Sequence, residues 1–376
     1  MQHSLITYEL EAKDFFAFKW EFLMMRLSKA YYMRWRYRYL TLALCTALAG
    51  CSDTDTPAKT NTQQRDWSQL TLRLGDQSKI LFTVAEAAGT LKDTPYRIEW
   101  ANFQGAAPLF EALRAGAVDL APAGDTPVLA AATGATPLKI IASRSGTGRS
   151  IAILVPENSP IHSLKDLEGR NVVVSSARGS IAQYLLIRAL AQAGVDEQKV
   201  NVGFVLPTDA LAAFNAGQIE AWATFGIYQA FAEEAGARVL IHGEGINSGL
   251  GFITAADSAL ADPSKRCALS DVLVRLSQAF DWAQKHPEEY AQIFATANSV
   301  PLNVSKRLRS WGDEIVRPVT DQDVQTLQDV DDLFVAKGIF PHAINTQLLA
   351  DKNIFSEQGP ECSGLTQPTN LSTTGY

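Results

Sequence analysis

From residue 70 to about residue 260 the chain alternates short apolar and β-branched runs with segments of helical periodicity. This alternation constrains the fold more than any other feature. A strand followed by a covering helix favours a parallel return, and strands covered on both faces read as near-continuous apolar runs. Strands are predicted at 70–75, 97–103, 118–124, 138–144, 151–156, 171–176, 200–206, 219–225, 238–243 and 250–255, with helices between them. Beyond about residue 260 the pattern is purely helical. The predicted class is α/β, with mainly parallel sheets and helices on both faces.

An internal similarity at an offset of 101 residues sharpens this. Residues 112–127 and 213–228 each carry a helix end, an Ala-Gly pair (Gly116, Gly217), an apolar–acid pair (Val118-Asp119, Ile219-Glu220) and a strand. A glycine past a helix end supplies the left-handed cap at little steric cost. Any α/β chain can contain such units, but two lobes of like construction also account for them. Ligands of open α/β sheets sit beyond the carboxyl ends of the strands. The two copies would then point Gly124-Asp125-Thr126 and Thr224-Phe225-Gly226 into one cleft.

The N-terminus reads as an address. Arg34, Arg36 and Arg38 precede an apolar stretch from Leu40 to Leu48, too short to span a bilayer and suited to a signal segment. It ends in Leu48-Ala49-Gly50-Cys51, which resembles a bacterial lipobox, so Cys51 is the expected lipidation site and membrane anchor. Acidic residues Glu9, Glu11, Asp14 and Glu21 place residues 1–32 outside any signal pattern, and Met33 is the expected start. The polar stretch 51–69 reads as a flexible tether. Without residues 1–50 the chain keeps 26 Lys and Arg against 36 Asp and Glu. So acidic a chain lacks the basic face that nucleic acid requires. Cys267 and Cys362 would remain in an oxidising compartment, where they can pair if their positions allow. The five scattered histidines form no ligand pair and no Cys-x-x-Cys is present, so neither a metal site nor a cofactor is expected.

Several stretches, in order and spacing, resemble the substrate-binding proteins of bacterial ABC importers, in particular the alkanesulfonate/nitrate/taurine group. They are Ile98-Glu99-Trp100-Ala101-Asn102-Phe103; Phe110-Glu111-Ala112-Leu113 with Gly116-Ala117-Val118-Asp119; Gly124-Asp125-Thr126-Pro127; Ile153-Leu154-Val155-Pro156; Gly179-Ser180 with Tyr184-Leu185-Leu186; and Glu220-Ala221-Trp222. The resemblance covers most of residues 70–340. It implies a two-lobed periplasmic-binding-protein type II fold. Lobe 1 would comprise 70–151 and 250–355, lobe 2 would comprise 152–249, and 356–376 would be a tail. C-terminal helices would pack back on lobe 1. The implied ligand is a small organic anion, foremost an aliphatic or aryl sulfonate, with nitrate, taurine or a heterocycle precursor as alternatives. The implied partners are a permease and an ATPase.

An anion can be held by amides at helix N-termini. Gly179 and Ser180 lie between a strand and a helix, and Ser180 can cap, bind or do both. Arg178 beside them can fork onto the anion or stand in solvent. Asp125 reads as a cap or loop organiser, leaving Thr126 as the better ligand candidate beside Gly124. Gln77 and Ser78 hold the matching position after the first strand. Trp222, Thr224 and Phe225 are candidates for the opposite wall, though Trp222 also suits a lobe core. The sequence departs from the relatives where Phe225-Gly226-Ile227-Tyr228 replaces Trp-Asp-Pro-Tyr, and in the basic, Gly-rich run from Ser143 to Ser150. Desulfinases share this fold, but Gly75-Asp76-Gln77-Ser78-Lys79 holds no cysteine and no nucleophile–base pair stands out, so binding is expected rather than catalysis.

Overall fold

The computed structural model describes residues 66–312, 314–356, 362, 363 and 365. The signal segment, the start at Met33, the lipidation site Cys51 and nearly all of the tether lie outside the described residues.

The first strands are β1 (Thr71–Gln77), β2 (Arg97–Phe103), β3 (Leu120–Gly124), β4 (Leu138–Ser145) and β5 (Ile151–Val155). They are followed by β6 (Asn171–Val174), β7 (Asn201–Phe204), β8 (Ala221–Phe225), β9 (Arg238–His242), β10 (Leu250–Ala256) and β11 (Ile315–Arg317). The helices are α1 (Ile80–Ala88), α2 (Ala106–Arg114), α3 (Asp125–Thr133), α4 (Ile181–Ala193), α5 (Pro207–Asn215) and α6 (Gly226–Glu234). The C-terminal set is α7 (Asp257–Leu260), α8 (Pro263–Lys285), α9 (Pro287–Asn298), α10 (Leu302–Ser310) and α11 (Asp321–Ala336). All ten predicted strands form.

The strands build two sheets, ordered β11-β4-β10-β3-β1-β2 and β7-β6-β8-β5-β9. The expectation of mainly parallel sheets needs correction. Among the described residues four neighbouring pairs are parallel and five antiparallel. Parallel pairing is confined to the βαβ units β1/β2, β1/β3, β6/β7 and β6/β8. The chain passes between sheets through residues 146–150 and 243–249, and β5 and β10, which it enters, run against their neighbours. β11 is a second difference. At three residues it is too short to display a period of two inside an otherwise helical region.

The two repeat copies fold alike. Gly116 and Gly217 adopt φ +69° and +71° after α2 and α5, where only glycine is unstrained. The acid of each copy then ties its strand to a parallel neighbour. Asp119 accepts from the Arg73 amide at 2.8 Å, and Glu220 from the Asn171 amide at 3.1 Å.

The first sheet is buried against α8, α9 and α11. Leu72, Leu74 and Leu120 are fully buried there, each contributing about 1.5–3 kcal/mol through removal from water. α8 begins where the sequence marks a start: Asp262 accepts from the Ser264 and Lys265 amides, and Pro263 stands at its first position. α11 opens with a reciprocal cap between Thr320 and Asp323. Asp323 also receives both guanidinium nitrogens of Arg317, at 2.6 and 2.7 Å, and the Ser143 hydroxyl at 2.8 Å. One carboxylate thus joins β4, β11 and α11.

The second sheet carries an apolar cluster on each face. Its α4 also reaches the first core, where Tyr184 lies 5.8 Å from the Phe334 ring. Between α6 and α10 the contact is polar at its rim: Arg307 pairs with Glu234 at 2.8 Å, and Asn303 donates to the same carboxylate. Cys267 of α8 is bonded to Cys362, with Cα atoms 5.3 Å apart. Trp67 donates its indole N–H to the Ser363 carbonyl at 3.2 Å.

Candidate functional site

A cavity of about 300 Å³ opens between the two sheets. It lies at the carboxyl ends of strands, as open α/β sheets dispose their sites. Gln77, Gly124, Ser145 and Phe225 end β1, β3, β4 and β8, and all four line it. Ser176 follows β6, while Ile151 and Leu250 begin the two crossing strands.

The polar end of the cavity depends on which helix N-termini remain open. The first N–H groups of a helix have no partner within it and attract anions. At α1 and α3 of the first lobe they are already answered, while α2 begins on the cavity wall at Ala106 with no side-chain cap. Asp76, buried at the end of β1, accepts from the Phe82 amide of α1 at 2.8 Å and from the Gln77 amide at 2.7 Å. Burial pushes its carboxyl up to about 6, against the pull of the Phe82, Leu81 and Gln77 amides and of the Arg144 charge. Asp125 does the same for α3. It accepts from the Thr126 amide at 2.6 Å and from the Ser248 hydroxyl, and burial pushes it up to about 6. In the second lobe the starts of α4 and α6 face the cavity through Ser180 and Ile181, and through Gly226, Ile227 and Tyr228.

The candidate residues from the sequence separate into two groups. Gln77, Ser78, Gly124, Ser180 and Phe225 come together on the cavity wall. Asp125, Thr126, Arg178, Gly179, Trp222 and Thr224 do not line it, and each has a local reason.

Asp125 and Thr126 are turned inward at the start of α3, with 1% and 0% exposure. The Gly179 amide is taken by the Gln183 side chain at 2.7 Å, and the Ser180 amide by the Ala177 carbonyl at 3.2 Å. The pair therefore offers a ligand neither amide, and the Ser180 hydroxyl is engaged as well. That hydroxyl donates to the Ser175 carbonyl at 2.8 Å and accepts from the Gln183 amide at 3.3 Å. Arg178 donates to the Gly338 carbonyl at 3.2 Å, outside the cavity. Trp222 and Phe225 are three residues apart on one strand, so the two-residue pleat sends them to opposite faces. Trp222 goes into the second-lobe core beside Phe214, its N–H on the Ser175 hydroxyl at 3.0 Å. Thr224 is fully buried on that same face.

Sequence reasoning missed the far wall. Phe280 of α8, Tyr290 and Phe294 of α9, Leu308 and Arg309 of α10, and Trp311 all line the cavity. The family resemblance implies for these helices only a packing role on the first lobe. The available signal was the basic end of α10, with Arg307 and Arg309 just before Trp311. Arg144, in the basic run noted above, lies within the wall. It pairs with Glu314 and sits 5.7 Å from the Phe280 ring, while Arg309 lies 5.3 Å over Tyr290. Among the described residues no cluster of metal-ligating side chains occurs.

The family described as NMT1/THI5 like matches residues 84–290. A protein of Escherichia coli (strain K12) named "Putative aliphatic sulfonates-binding protein" is 29% identical over 279 residues, 73% of this chain and 86% of that one. The structure of the alkanesulfonate-binding protein SsuA from Xanthomonas axonopodis pv. citri, bound to MOPS, superposes with a TM-score of 0.69 at 28% identity. It spans 75% of this chain and 98% of that one. The periplasmic aliphatic sulphonate binding protein SsuA from Escherichia coli gives a TM-score of 0.67 at 27% identity, over 81% and 95% of the two chains.

Proposed function

The chain belongs to the NMT1/THI5-like family, and from that premise we propose that it is the substrate-binding component of an ABC importer, capturing an organic sulfonate between its lobes. The observation that carries this reading is the cavity at the strand ends: it joins the starts of α4 and α6 in the second lobe to arginines and aromatic rings in the first. The relatives named for sulfonate binding support the same ligand class.

In this reading the sulfonate head meets the first turn of α4 at Ser180 and Ile181, next to Ser176, with Gln77 and Ser78 across the cleft. The Arg144 and Arg309 guanidinium groups set a positive background from the far wall. The loaded protein delivers its ligand to a permease coupled to an ATPase. Cys51 anchors it to the membrane from the periplasmic side, after translation from Met33 and removal of the signal segment.

Capture rather than turnover is further supported by the cysteines. A thiolate mechanism needs a free thiol in the cleft. Cys267 and Cys362 are joined to each other, and Cys267 is 1% exposed.

A thermal-shift panel tests the reading. A ligand at 100 times its dissociation constant stabilises the folded state by about 2.7 kcal/mol. Alkanesulfonates, taurine and aryl sulfonates that all leave the melting temperature unmoved would end the sulfonate reading. Release of sulfite from a sulfinate would replace it with an enzyme. Mass spectrometry of the N-terminal peptide tests the anchor: the expected species is a lipid-modified Cys51, and native peptides from residues 1–32 would refute the start at Met33.

A further inference from the structure

The far wall of the cavity says what the head group must carry behind it. Six aromatic side chains line the space: Phe225 and Tyr228 from the second lobe, and Phe280, Tyr290, Phe294 and Trp311 from the first. The four on the first-lobe side are at most 7% exposed, so each shows the cavity only a small part of its surface, while Phe225 and Tyr228 are half-buried. Phe225 and Tyr228 stand edge to face, with ring centres 6.5 Å apart. Arg144 pairs with Glu314 and faces Phe280, with its Nε buried and without a hydrogen bond, and Arg309 lies over Tyr290. The rings of this end call for apolar, polarisable surface on the ligand.

Size points the same way. At about 300 Å³ the cavity reaches the lower limit of pockets that enclose drug-sized ligands, about 300–1,000 Å³. It has room for roughly ten waters at about 30 Å³ each. A two-carbon sulfonate at the α4 end would leave most of that volume to water against aromatic walls. A flat ring fills it, stacks or meets edges with the surrounding rings, and loses less rotational freedom than a chain of equal volume.

We infer that the ligand carries an aromatic or heteroaromatic ring, seated between Phe225 and Tyr228 on one side and Tyr290, Phe294 and Trp311 on the other. This rests on the sulfonate reading for the head group and departs from the aliphatic names of the relatives. Trp311 and Phe225 become the residues that set specificity for the tail.

Titration calorimetry with ethanesulfonate, hexanesulfonate, benzenesulfonate, naphthalene-2-sulfonate and 2-naphthoate separates tail from head. The expected result is that the better aryl sulfonate binds at least about tenfold tighter than hexanesulfonate, the size of one or two added ring contacts. Trp311→Leu should remove most of that advantage, weakening the aryl sulfonates more than hexanesulfonate. Phe225→Leu gives the same readout should the tryptophan variant fail to fold. Hexanesulfonate binding as tightly as both aryl sulfonates overturns the ring and leaves the sulfonate reading standing. Naphthoate binding while every sulfonate fails keeps the ring and overturns the sulfonate reading. No binding by any of the five overturns both.

Discussion

The buried carboxyl of Asp76 makes anion capture sensitive to pH, and the size of the effect follows from its surroundings. Asp76 lines the cavity, and burial raises it from 3.8 to about 6. A sulfonate keeps its charge throughout the range of interest, so only the protein titrates. A head group held about 6 Å from Asp76 would, at an effective dielectric of about 20, repel its carboxylate by about 2.8 kcal/mol, or about two pH units. The bound form would then titrate near about 8, and linkage makes the dissociation constant about 50-fold weaker at pH 8 than at pH 5. The sign is fixed: binding is tightest at low pH, where Asp76 is neutral, and is lost as pH rises through about 6. Asp76→Asn preserves an acceptor for the α1 amides and removes the charge. Its affinity should vary by less than about threefold between pH 5 and 8, and should exceed that of the parent protein at pH 8. Calorimetry at four pH values measures both proteins. A parent whose affinity is flat across this range, or a variant that keeps the full dependence, would refute the reasoning.

Three further expectations follow from contacts described above. Burial alone would raise Asp323, but the Arg317 fork, the Thr320 amide and the Ser143 and Thr320 hydroxyls outweigh it and hold the carboxyl near 2. The depressed value corresponds to about 2.4 kcal/mol of stability, present above pH 3.8 and lost as pH falls through about 2. Asp323→Asn should therefore lower the urea-unfolding free energy by about 2 kcal/mol at pH 7, and a change below about 0.5 kcal/mol would count against this role. The Cys267–Cys362 bond spans 95 residues of sequence, and closing a loop of about 100 residues is worth up to about 4.7 kcal/mol through the unfolded chain. Melting curves should fall to lower temperature on reduction, and identical curves would show that the bond adds nothing. Arg178→Ala should leave sulfonate affinity within about twofold, because its guanidinium rests on the Gly338 carbonyl, whereas a tenfold loss would return it to the site.

Periodicity carried much of the fold. Near-continuous apolar runs marked the sheets, and the glycine–acid pairs at an offset of 101 residues marked two units whose Asp119 and Glu220 make the same strand tie. Strand direction was not legible, since an apolar run such as 250–255 reads the same whichever way it enters a sheet. For the site, Gln77, Ser78, Gly124, Ser180 and Phe225, picked out by loop position, line the cavity. Trp222, for which a lobe core was the other reading, goes there with the strand pleat. The Gly179 amide is taken because Gln183 reaches back to it, which no local pattern announces. The far wall was hidden for another reason. Phe280, Tyr290, Phe294 and Trp311 are spaced like ordinary core residues, and only the return of α8–α10 over the first sheet turns them toward a cleft built elsewhere in the chain.

The meeting of Trp67 with Ser363 has a mechanical consequence. Residue 67 precedes β1, and residue 363 is one position from the bond that fastens Cys362 to α8, so both attachments belong to the first lobe. Tension on the chain at either position is met first within that lobe, with the indole hydrogen bond and the covalent link among the contacts that resist it. The chain enters the second lobe only through residues 146–150 and 243–249, so a pull at either position reaches that lobe indirectly.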